Sequence, residues 1–213
     1  MARPTEEALE AAVSCLNLHL DHFNLDEVAL IHRAMHTAVT WQVARVRRSG
    51  TPAWSHSLTV GNDLAVLGAP ADVIIAGYHH DDLEDLGKTA QDLQALYSDE
   101  AANLVVALTK TDEDSYVRQL VREGHANWWV LLIKAVDRRH NIRTADGFDA
   151  NKREEYARET LALVATLQAC ANWVPDAWRE RYSGVLDDAR ALAEETLHTL
   201  ADARKSTTLP LTF

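Results

Sequence analysis

Two imidazoles and four carboxylates fall within seven residues of this chain, in the stretch His79-His80-Asp81-Asp82-Leu83-Glu84-Asp85. If the stretch is helical, acids four residues apart share one face and repel each other by roughly a few tenths of a kcal/mol. The stretch follows the apolar residues 73–77, which we expect in the interior. A cation would remove the repulsion, and imidazole with carboxylate suits manganese, iron or zinc better than calcium or magnesium. The stretch predicts a metal site, with a solvated acidic turn as the alternative.

Length and composition indicate one ordinary globular domain. A chain of 213 residues can bury one sizeable core, and its 47 % hydrophobic and 25 % charged residues are typical of globular proteins. The formal net charge of −11 argues against binding nucleic acid or an anionic membrane, because such surfaces are basic. An anionic small substrate would therefore need a local basic pocket.

The cysteines and the first residues predict a cytoplasmic location. Cys15 and Cys170 are the only cysteines and lack metal-ligand spacing, so we expect reduced thiols. The segment from Met1 to Glu7 lacks the apolar core of a signal peptide, and no apolar run approaches the length that spans a membrane. We therefore expect no membrane association. The sequence allows an oligomer but does not define one.

Hydrophobic residues recur at helical spacing almost throughout the chain. Steps of three and four residues form one stripe from Val28 to Val46, interrupted by Gln42. Similar stripes span residues 161–171 and 182–192, and short turns with glycine or proline separate the stripes. No alternating pattern typical of a strand extends beyond a few residues. The sequence predicts a single all-α domain over residues 1–204, followed by a polar C-terminal tail at 205–213.

A second group of polar side chains lies on a predicted helix that starts with the apolar residues 131–133. Its members follow one another at steps of three, four and three and so line one face: Lys134, Asp137, Asn141 and Thr144. An aspartate in so apolar a run is costly to bury without a partner, which favours a metal or a paired arginine. This face is a candidate wall of a site. The alternative is a simple ion pair of Lys134 with Asp137 at a helix end.

A third group combines arginines, a tight turn and a histidine. Arg47, Arg48 and Ser49 precede the glycine-proline turn at 50–52, and His56 opens the next helical stretch. Arginine forks bind phosphate oxygens bidentately, and guanidinium planes stack on bases. The alternative is a solvated basic helix end that complements the helix dipole.

Together the three groups resemble the hydrolase domain of the Rel/Spo (RelA/SpoT-type) alarmone enzymes, a branch of the HD phosphohydrolase superfamily. The matching motifs are Arg47-Arg48-Ser49-Gly50-Thr51-Pro52 leading to His56, His80-Asp81 with Glu84-Asp85, Thr109-Lys110, and Asp137-Arg138-Arg139-His140-Asn141-Ile142-Arg143-Thr144. The resemblance covers roughly residues 30–170. It implies an HD-type helical bundle and a small, hydrolase-only member of the family.

The resemblance also implies roles for individual residues. The family holds one manganese ion with two histidines and two aspartates, which match His56, His80, Asp81 and Asp137. The carboxylates that position or deprotonate the attacking water match Glu84 and Asp85. Contacts on the nucleoside side match Arg47, Arg48, Ser49, Asn141 and Thr144, and the phosphates are assigned to Lys134 and Arg138.

The implied activity is metal-dependent hydrolysis of the 3′-pyrophosphate of guanosine tetra- or pentaphosphate, which gives GDP or GTP and pyrophosphate. The guanine nucleotide would be the small-molecule partner. Two alternatives stay open. The chain could be an HD phosphohydrolase for another nucleotide, such as NADPH, a deoxynucleotide or a biosynthetic intermediate, or a non-catalytic nucleotide sensor. General alarmone turnover and an antidote to an alarmone-making toxin are both open as physiological roles.

The chain departs from the family's pattern at several positions near these motifs. Ala53 stands where tyrosine is common, Ser57 where a proline usually follows the histidine, and Gln42 where histidine is frequent. Arg45 and Arg139 replace a glutamine and an apolar residue. None of these changes removes a metal ligand, but they alter the wall of the pocket or the surroundings of the ligands.

Two further histidines adjoin the motifs. His79 precedes the His-Asp pair, a position from which it could donate a hydrogen bond to a metal ligand. His140 follows the candidate ligand Asp137 by three residues, where it could orient that aspartate. The histidines before residue 40 are expected to be surface or packing residues.

Overall fold

Helices form nearly all of the regular structure in this protein. The computed structural model describes residues 10, 13–14, 16–17, 19–47, 50–111 and 116–207. The α-helices with bounds in these ranges are α1 Leu25–Gln42, α2 Ala53–Val66, α3 Ala71–His79, α4 Asp82–Leu86, α5 Ala90–Gln94, α6 Asp99–Leu108, α7 Tyr116–Ala126, α8 Trp129–Arg143, α9 Ala150–Ala169 and α10 Asp176–Thr207. Apart from an isolated β-bridge between Val46 and Pro52, the described residues contain no β-structure. The predicted all-α class is therefore confirmed.

The extent of α10 and the character of the helices bear on two predictions, the C-terminal tail and the absence of a membrane-spanning segment. Helix α10 continues through Lys205 to Thr207, and residues 208–213 lie outside the described part of the chain. The division into a domain at 1–204 and a tail at 205–213 stays a prediction. Among the described residues, no helix has the length and apolar character needed to cross a membrane.

Polar caps and prolines fix where the first helices begin. The N–H of Glu27 donates to the Asn24 side chain, and the N–H of Asn24 donates to the Glu27 carboxylate, both at 3.0 Å. This capping box satisfies backbone donors that the first turn of α1 would otherwise leave free. Pro52 and Pro70 immediately precede α2 and α3, and both fall in turns that the sequence predicts.

Helix α3 lies at the centre of the helical bundle. Residues 73–79 on it are all buried, as the apolar sequence predicts, and the helix packs against α1, α2, α6 and α8. His80 and Asp81 follow directly, between the end of α3 and the start of α4. The stretch 79–85 is therefore two helices with a joint, and a buried helix carries the His-Asp pair to its position.

The first predicted stripe is correct along α1 and wrong at its end. Ile31, Met35, Val39 and Gln42 are buried on one face. Val46 is 63 % exposed, because α1 ends at Gln42 and the chain then enters the turn before α2. Hydrophobic spacing alone does not reveal where a helix stops.

Helices α2 and α3 approach each other closely at two glycines. A Cβ atom at Gly61 would meet the ring of Tyr78, and a Cβ atom at Gly77 would meet the side chain of Leu64. Only glycine allows this approach without moving a neighbour. Helix α2 carries one candidate metal ligand and α3 leads to two more, so this contact helps to set the distance between them.

We expect Gly61→Ala to lower the free energy of unfolding by about 1–3 kcal/mol, the usual cost of an extra methyl group in a packed core. Urea denaturation followed by circular dichroism measures this change. Gly184→Ala on α10 is the matched control, because a Cβ there meets nothing within 4 Å. The control should keep its stability or gain up to ~1 kcal/mol from better helix propensity. Equal losses in both variants would contradict the close approach of α2 and α3.

The C-terminal helices contain a buried tyrosine. Helix α10 packs along α8 and α9, and Tyr182 on α10 donates a hydrogen bond to the carbonyl of Leu167 on α9 at 2.9 Å. Burial, together with the nearby Cys170, raises the pKa of the Tyr182 hydroxyl above its ordinary value of 10.0. The folded protein therefore keeps this proton at a pH where the unfolded chain has lost it.

Stability should consequently fall as the pH rises above 10.0, the ordinary pKa of tyrosine. In that range the unfolded state binds fewer protons than the folded state, so a rising pH favours unfolding. Urea unfolding of the wild type and of Tyr182→Phe over a series of alkaline pH values measures the effect. The variant should lose less stability with pH than the wild type. An identical pH dependence in both proteins would contradict the assignment.

Candidate metal centre and active site

Three parts of the fold bring the four predicted metal ligands together. His56 lies in the first turn of α2, Asp137 lies in the middle of α8, and His80 and Asp81 lie at the joint between α3 and α4. Both imidazoles and Asp137 are buried, whereas the Asp81 side chain is 44 % exposed. The cluster is therefore enclosed on most sides and open beside Asp81.

The donor atoms lie at separations that suit a common cation. The Nε2 atoms of His56 and His80 are 3.1 Å apart, and Asp81 Oδ2 lies 3.7 Å and 3.2 Å from them respectively. Asp137 Oδ1 lies 3.1 Å from His56 Nε2 and 3.5 Å from His80 Nε2. Metal-ligand bonds of about 2.0–2.2 Å place neighbouring donors roughly 3.0–3.5 Å apart. His56, His80 and Asp81 form a group that could hold a metal ion, and Asp137 adjoins both imidazoles.

The second nitrogen of each imidazole is already engaged. His80 Nδ1 donates to the carbonyl of Gly77 at 2.9 Å, and His56 Nδ1 lies 2.7 Å from His140 Nδ1. Burial, with His56 and Arg47 nearby, lowers the pKa of His140 to about 3, so its neutral ring can accept a hydrogen bond from His56. Both ligands therefore direct Nε2 at the common centre. From the sequence we expected His140 to orient Asp137, but the His140 ring contacts His56.

Asp137 is an ionised carboxylate in the interior. It accepts hydrogen bonds from Lys134 Nζ at 2.8 Å and from the side-chain amide of Asn141. Burial opposes ionisation, but Lys134 holds the pKa of Asp137 well below its usual range. The ion pair of Lys134 with Asp137 that the sequence offered as an alternative is thus present, but it lies in the middle of α8 and not at a helix end, and it adjoins the imidazoles.

The carboxylates require positive charge at the centre of the cluster. Burial opposes protonation of His80, yet Asp81 and Asp137 raise its pKa well above the ordinary value. Either a proton on Nε2 or a metal ion can supply the charge. Imidazole nitrogens combined with carboxylates are ligands that manganese, iron and zinc accept. The residues present therefore fit a divalent metal ion.

Asp81 lines two sizeable cavities at this cluster, and a third of only about 30 Å³ adjoins Asp81 and His56. The first cavity has a volume of about 340 Å³ and is lined by amide, hydroxyl, aromatic and basic side chains: Arg45, Arg47, Asn141, Thr144, Phe148 and Tyr156. The second cavity has a volume of about 240 Å³, and its charged wall combines three cations with three carboxylates: Lys110, Lys134, Arg138, Asp81, Glu84 and Asp137. The candidate metal centre therefore lies between a cavity with amide, hydroxyl and aromatic side chains and a cavity whose lysines and arginine face the acids of the cluster.

The two predicted catalytic acids face different cavities. Glu84 lines the second cavity and accepts a hydrogen bond from the backbone N–H of Lys110. Asp85 lines the first cavity and pairs with Arg45 Nη2 at 3.2 Å. Partial burial and the carboxylate of Asp81 raise the pKa of Asp85, against the opposing effect of Arg45. Arg45, a departure from the family's pattern, is thus a direct partner of one predicted catalytic acid.

The residues assigned to the nucleoside side lie at the first cavity where they are described. Arg47, Asn141 and Thr144 line its wall, and Arg47 donates a hydrogen bond to the side-chain oxygen of Asn141. Thr144 is exposed at the end of α8. Arg48 and Ser49 lie outside the described residues.

Sequence reasoning missed two tyrosines near the cluster, Tyr116 in the wall of the second cavity and Tyr156 in the wall of the first. Lys134 and Arg138, both predicted, line the second cavity with Lys110. The Arg138 guanidinium lies 4.5 Å from the ring centre of Tyr156, and Lys134 Nζ lies 5.2 Å from that of Tyr116. Both distances are within the range of a cation–π interaction. No local spacing in the sequence connects either tyrosine with the metal ligands.

Taken together, the fold and the cluster define an all-helical domain with a metal site between its helices. The model of the HD domain family matches residues 34–172, and the chain belongs to this family. The family expected from the sequence is therefore confirmed.

Curated relatives share the same region. A protein of Mycobacterium leprae named probable GTP pyrophosphokinase is 33% identical over 158 residues, which are 70% of this chain and 20% of that protein. The guanosine-3′,5′-bis(diphosphate) 3′-pyrophosphohydrolase of Aquifex aeolicus is 31% identical over 169 residues, 76% of this chain and 23% of that protein. This chain spans about a fifth of the length of such relatives.

A solved structure shares the fold. It is a metazoan ortholog of SpoT, described as hydrolysing ppGpp and playing a role in starvation responses. The two structures match with a TM-score of 0.54 at 19% sequence identity, over 83% of this chain and 96% of the other. The helical architecture is therefore one that is known from experiment.

We expect His56→Ala, Asp81→Asn and Asp137→Asn each to abolish binding of Mn²⁺, because each removes one donor from the cluster. Isothermal titration calorimetry should show one ion per chain in the wild type and no measurable binding in the variants. Asp72→Asn is a control, since Asp72 accepts a hydrogen bond from Ser98 at 2.6 Å and is not part of the cluster. Full manganese affinity in any of the three site variants would remove that residue from the ligand set.

Proposed function

We propose that the chain hydrolyses the 3′-pyrophosphate of guanosine tetra- or pentaphosphate and releases GDP or GTP and pyrophosphate. The observation that carries this proposal is the position of the imidazole-carboxylate cluster between two cavities, one with amide, hydroxyl and aromatic side chains and one with three cations beside the acids of the cluster. A nucleotide whose phosphate ester lies at the cluster would have its nucleoside on one side and a phosphate group on the other. Relatives whose names specify this chemistry support the substrate.

The first cavity offers the contacts that a guanosine needs. An amide and a hydroxyl, from Asn141 and Thr144, can hydrogen-bond a base or a ribose, and Arg47 can stack on a base. The hydrogen bond from Arg47 to Asn141 holds these two side chains together before any ligand arrives. Ala53 is small and half-buried at the start of α2, so a ribose contact from this position is reduced to a methyl group.

The second cavity offers positive charge for a pyrophosphate. Lys110, Lys134 and Arg138 lie in its wall, although the chain as a whole carries a formal net charge of −11. The carboxylates of Asp81, Glu84 and Asp137 share this wall, so an anionic substrate would need these cations together with a bound divalent ion. Fixed cations stabilise the charge that develops on phosphoryl oxygens without having to reorganise during the reaction.

The side chains around the scissile bond divide the chemistry among them. Water adds to the phosphorus, the bond from phosphorus to the ribose 3′-oxygen breaks, and that oxygen takes up a proton. Glu84 and Asp85 orient the water, and one of them accepts its proton and later releases it to solvent, from which the 3′-oxygen takes up a proton. The raised pKa of Asp85 suits such a base. When bound, a divalent ion, which we propose to be manganese, lowers the pKa of water and polarises the phosphoryl group.

A substrate panel tests the proposal. Manganese-loaded protein is incubated separately with guanosine tetraphosphate, NADPH and deoxynucleoside triphosphates, and the products are separated by ion-exchange chromatography. We expect pyrophosphate and GDP from guanosine tetraphosphate only. Preferential release of phosphate from NADPH or of triphosphate from a deoxynucleotide would replace the substrate, and tight binding without turnover would indicate a sensor.

The sharpest prediction separates chemistry from binding at Glu84. Glu84→Gln keeps the shape of the side chain but removes the base. It should still bind one manganese ion and the nucleotide, while turnover falls by roughly two to four decades. Asp85→Asn should behave similarly but less severely. Loss of the metal in Glu84→Gln would show that Glu84 is a ligand, and near-normal turnover would remove it from the mechanism.

Arg47 should affect binding more than chemistry. Arg47→Ala removes a contact on the nucleoside side that is made equally in the ground state and the transition state. We therefore expect KM for guanosine tetraphosphate to rise about tenfold or more with a smaller change in kcat. Steady-state kinetics measures both constants, and Arg48→Ala is expected to have the same effect. Unchanged kinetics would place the nucleoside elsewhere.

A further inference from the structure

A buried chain of hydrogen bonds lies directly behind the metal ligands. His79 Nδ1 donates to Asp82 Oδ2 at 2.6 Å, and both residues have 0 % of their surface exposed. The other oxygen of Asp82 accepts a hydrogen bond from Gln42 Nε2 at 2.6 Å. Both carboxylate oxygens are therefore engaged by side chains that hold Asp82 away from the centre of the cluster.

The chain of hydrogen bonds continues in both directions. Ser57 Oγ donates to Gln42 Oε1 at 2.9 Å, and this contact orients the amide so that its nitrogen points at Asp82. At the other end, His79 Nε2 lies 3.2 Å from the hydroxyl of Tyr97. We call Gln42, Ser57, His79, Asp82 and Tyr97 the buried network.

Three members of the buried network are sequence neighbours of metal ligands. Ser57 follows His56, His79 precedes His80, and Asp82 follows Asp81. The hydrogen bond from His79 to Asp82 spans the two-residue joint between α3 and α4, so it fixes the backbone on both sides of the His-Asp pair. Gln42, on α1, connects this joint with α2.

We propose that the buried network is a positioning device for the metal centre. It holds the backbone of α2 and that of the joint between α3 and α4 at a fixed separation, so that the imidazoles and Asp81 converge on one point. The proposal rests on the metal centre of the proposed function but is independent of which nucleotide is hydrolysed. Gln42 on α1 and Ser57 on α2 bond to each other and so connect these two helices.

The free energy of burying His79 and Asp82 indicates whether this pair stabilises the fold or orients the metal site. Burying a polar side chain costs free energy that its hydrogen bonds only partly recover, and replacing both partners of a buried hydrogen bond with apolar groups of the same shape can be nearly neutral or stabilising. Stability alone therefore does not require His79 and Asp82 to be polar. Directional hydrogen bonds, in contrast, fix the orientation of the joint in a way that apolar contacts do not.

The test compares metal affinity with fold stability in the full chain. The double variant His79→Leu/Asp82→Leu replaces the polar pair by apolar side chains. We expect its dissociation constant for Mn²⁺, from isothermal titration calorimetry, to rise about 10- to 100-fold, the usual effect of removing the partners behind metal ligands. Its unfolding in urea without metal should shift to lower denaturant concentration, because the Gln42 amide and the Tyr97 hydroxyl lose these partners in the interior. A network that only supports the fold would lower stability in the same way but leave the affinity for Mn²⁺ unchanged.

A single-atom change and a remote control complete the test. Ser57→Ala breaks only the contact with Gln42, so it should weaken Mn²⁺ binding in the same direction by a smaller factor, and Ser57→Thr should restore it. Tyr182→Phe removes a buried hydrogen bond elsewhere and should leave Mn²⁺ affinity unchanged. If the double variant does not fold, the Mn²⁺ affinities of Ser57→Ala and Ser57→Thr test the proposal instead. Equal affinities of the wild type and Ser57→Ala would overturn it. A wild type that binds Mn²⁺ but leaves guanosine tetraphosphate intact would contradict the proposed substrate alone.

Discussion

Two buried imidazoles and two carboxylates converge on one point, and the rest of the structure depends on keeping them there. The Nε2 atoms of His56 and His80 lie 3.1 Å apart, and one oxygen of Asp137 is within 3.5 Å of both. Buried carboxylates are costly unless they are paired, so this arrangement needs positive charge at its centre. Lys134 neutralises Asp137 from one side, and the remaining side fits a divalent cation.

Packing of the helical bundle holds these side chains close together despite the electrostatic cost. Helix α3 is buried along residues 73–79, and its close approach to α2 at Gly61 and Gly77 limits how far apart the two histidines can move. The apolar first half of α8 holds Asp137 at the same depth. A donor set fixed in this way can bind a metal without rearrangement, and the cavities on its two sides then decide which molecule can reach it.

Local patterns in the sequence predict the parts of this structure that depend on near neighbours. The apolar run before His80 and Asp81 predicts the buried α3, and the spacing of Lys134, Asp137 and Asn141 predicts one polar face of α8. Contacts between distant parts of the chain leave no such pattern. Gln42 and Asp82 are separated by 40 positions, and His56 and His140 by 84, so only the folded structure reveals these pairs. The exposed position of Val46 was missed for a related reason, since periodicity does not mark the end of a helix.

The most direct test of this account is the position of the metal itself. Crystals of the manganese-loaded protein, measured with X-rays at the manganese absorption edge, would show each bound ion as a peak of anomalous density. We predict one peak per chain, in contact with His56, His80, Asp81 and Asp137 and bordering both cavities. A peak bound only by the acids on α4, or one that lacks contact with Asp137, would contradict the metal centre on which the proposed chemistry depends.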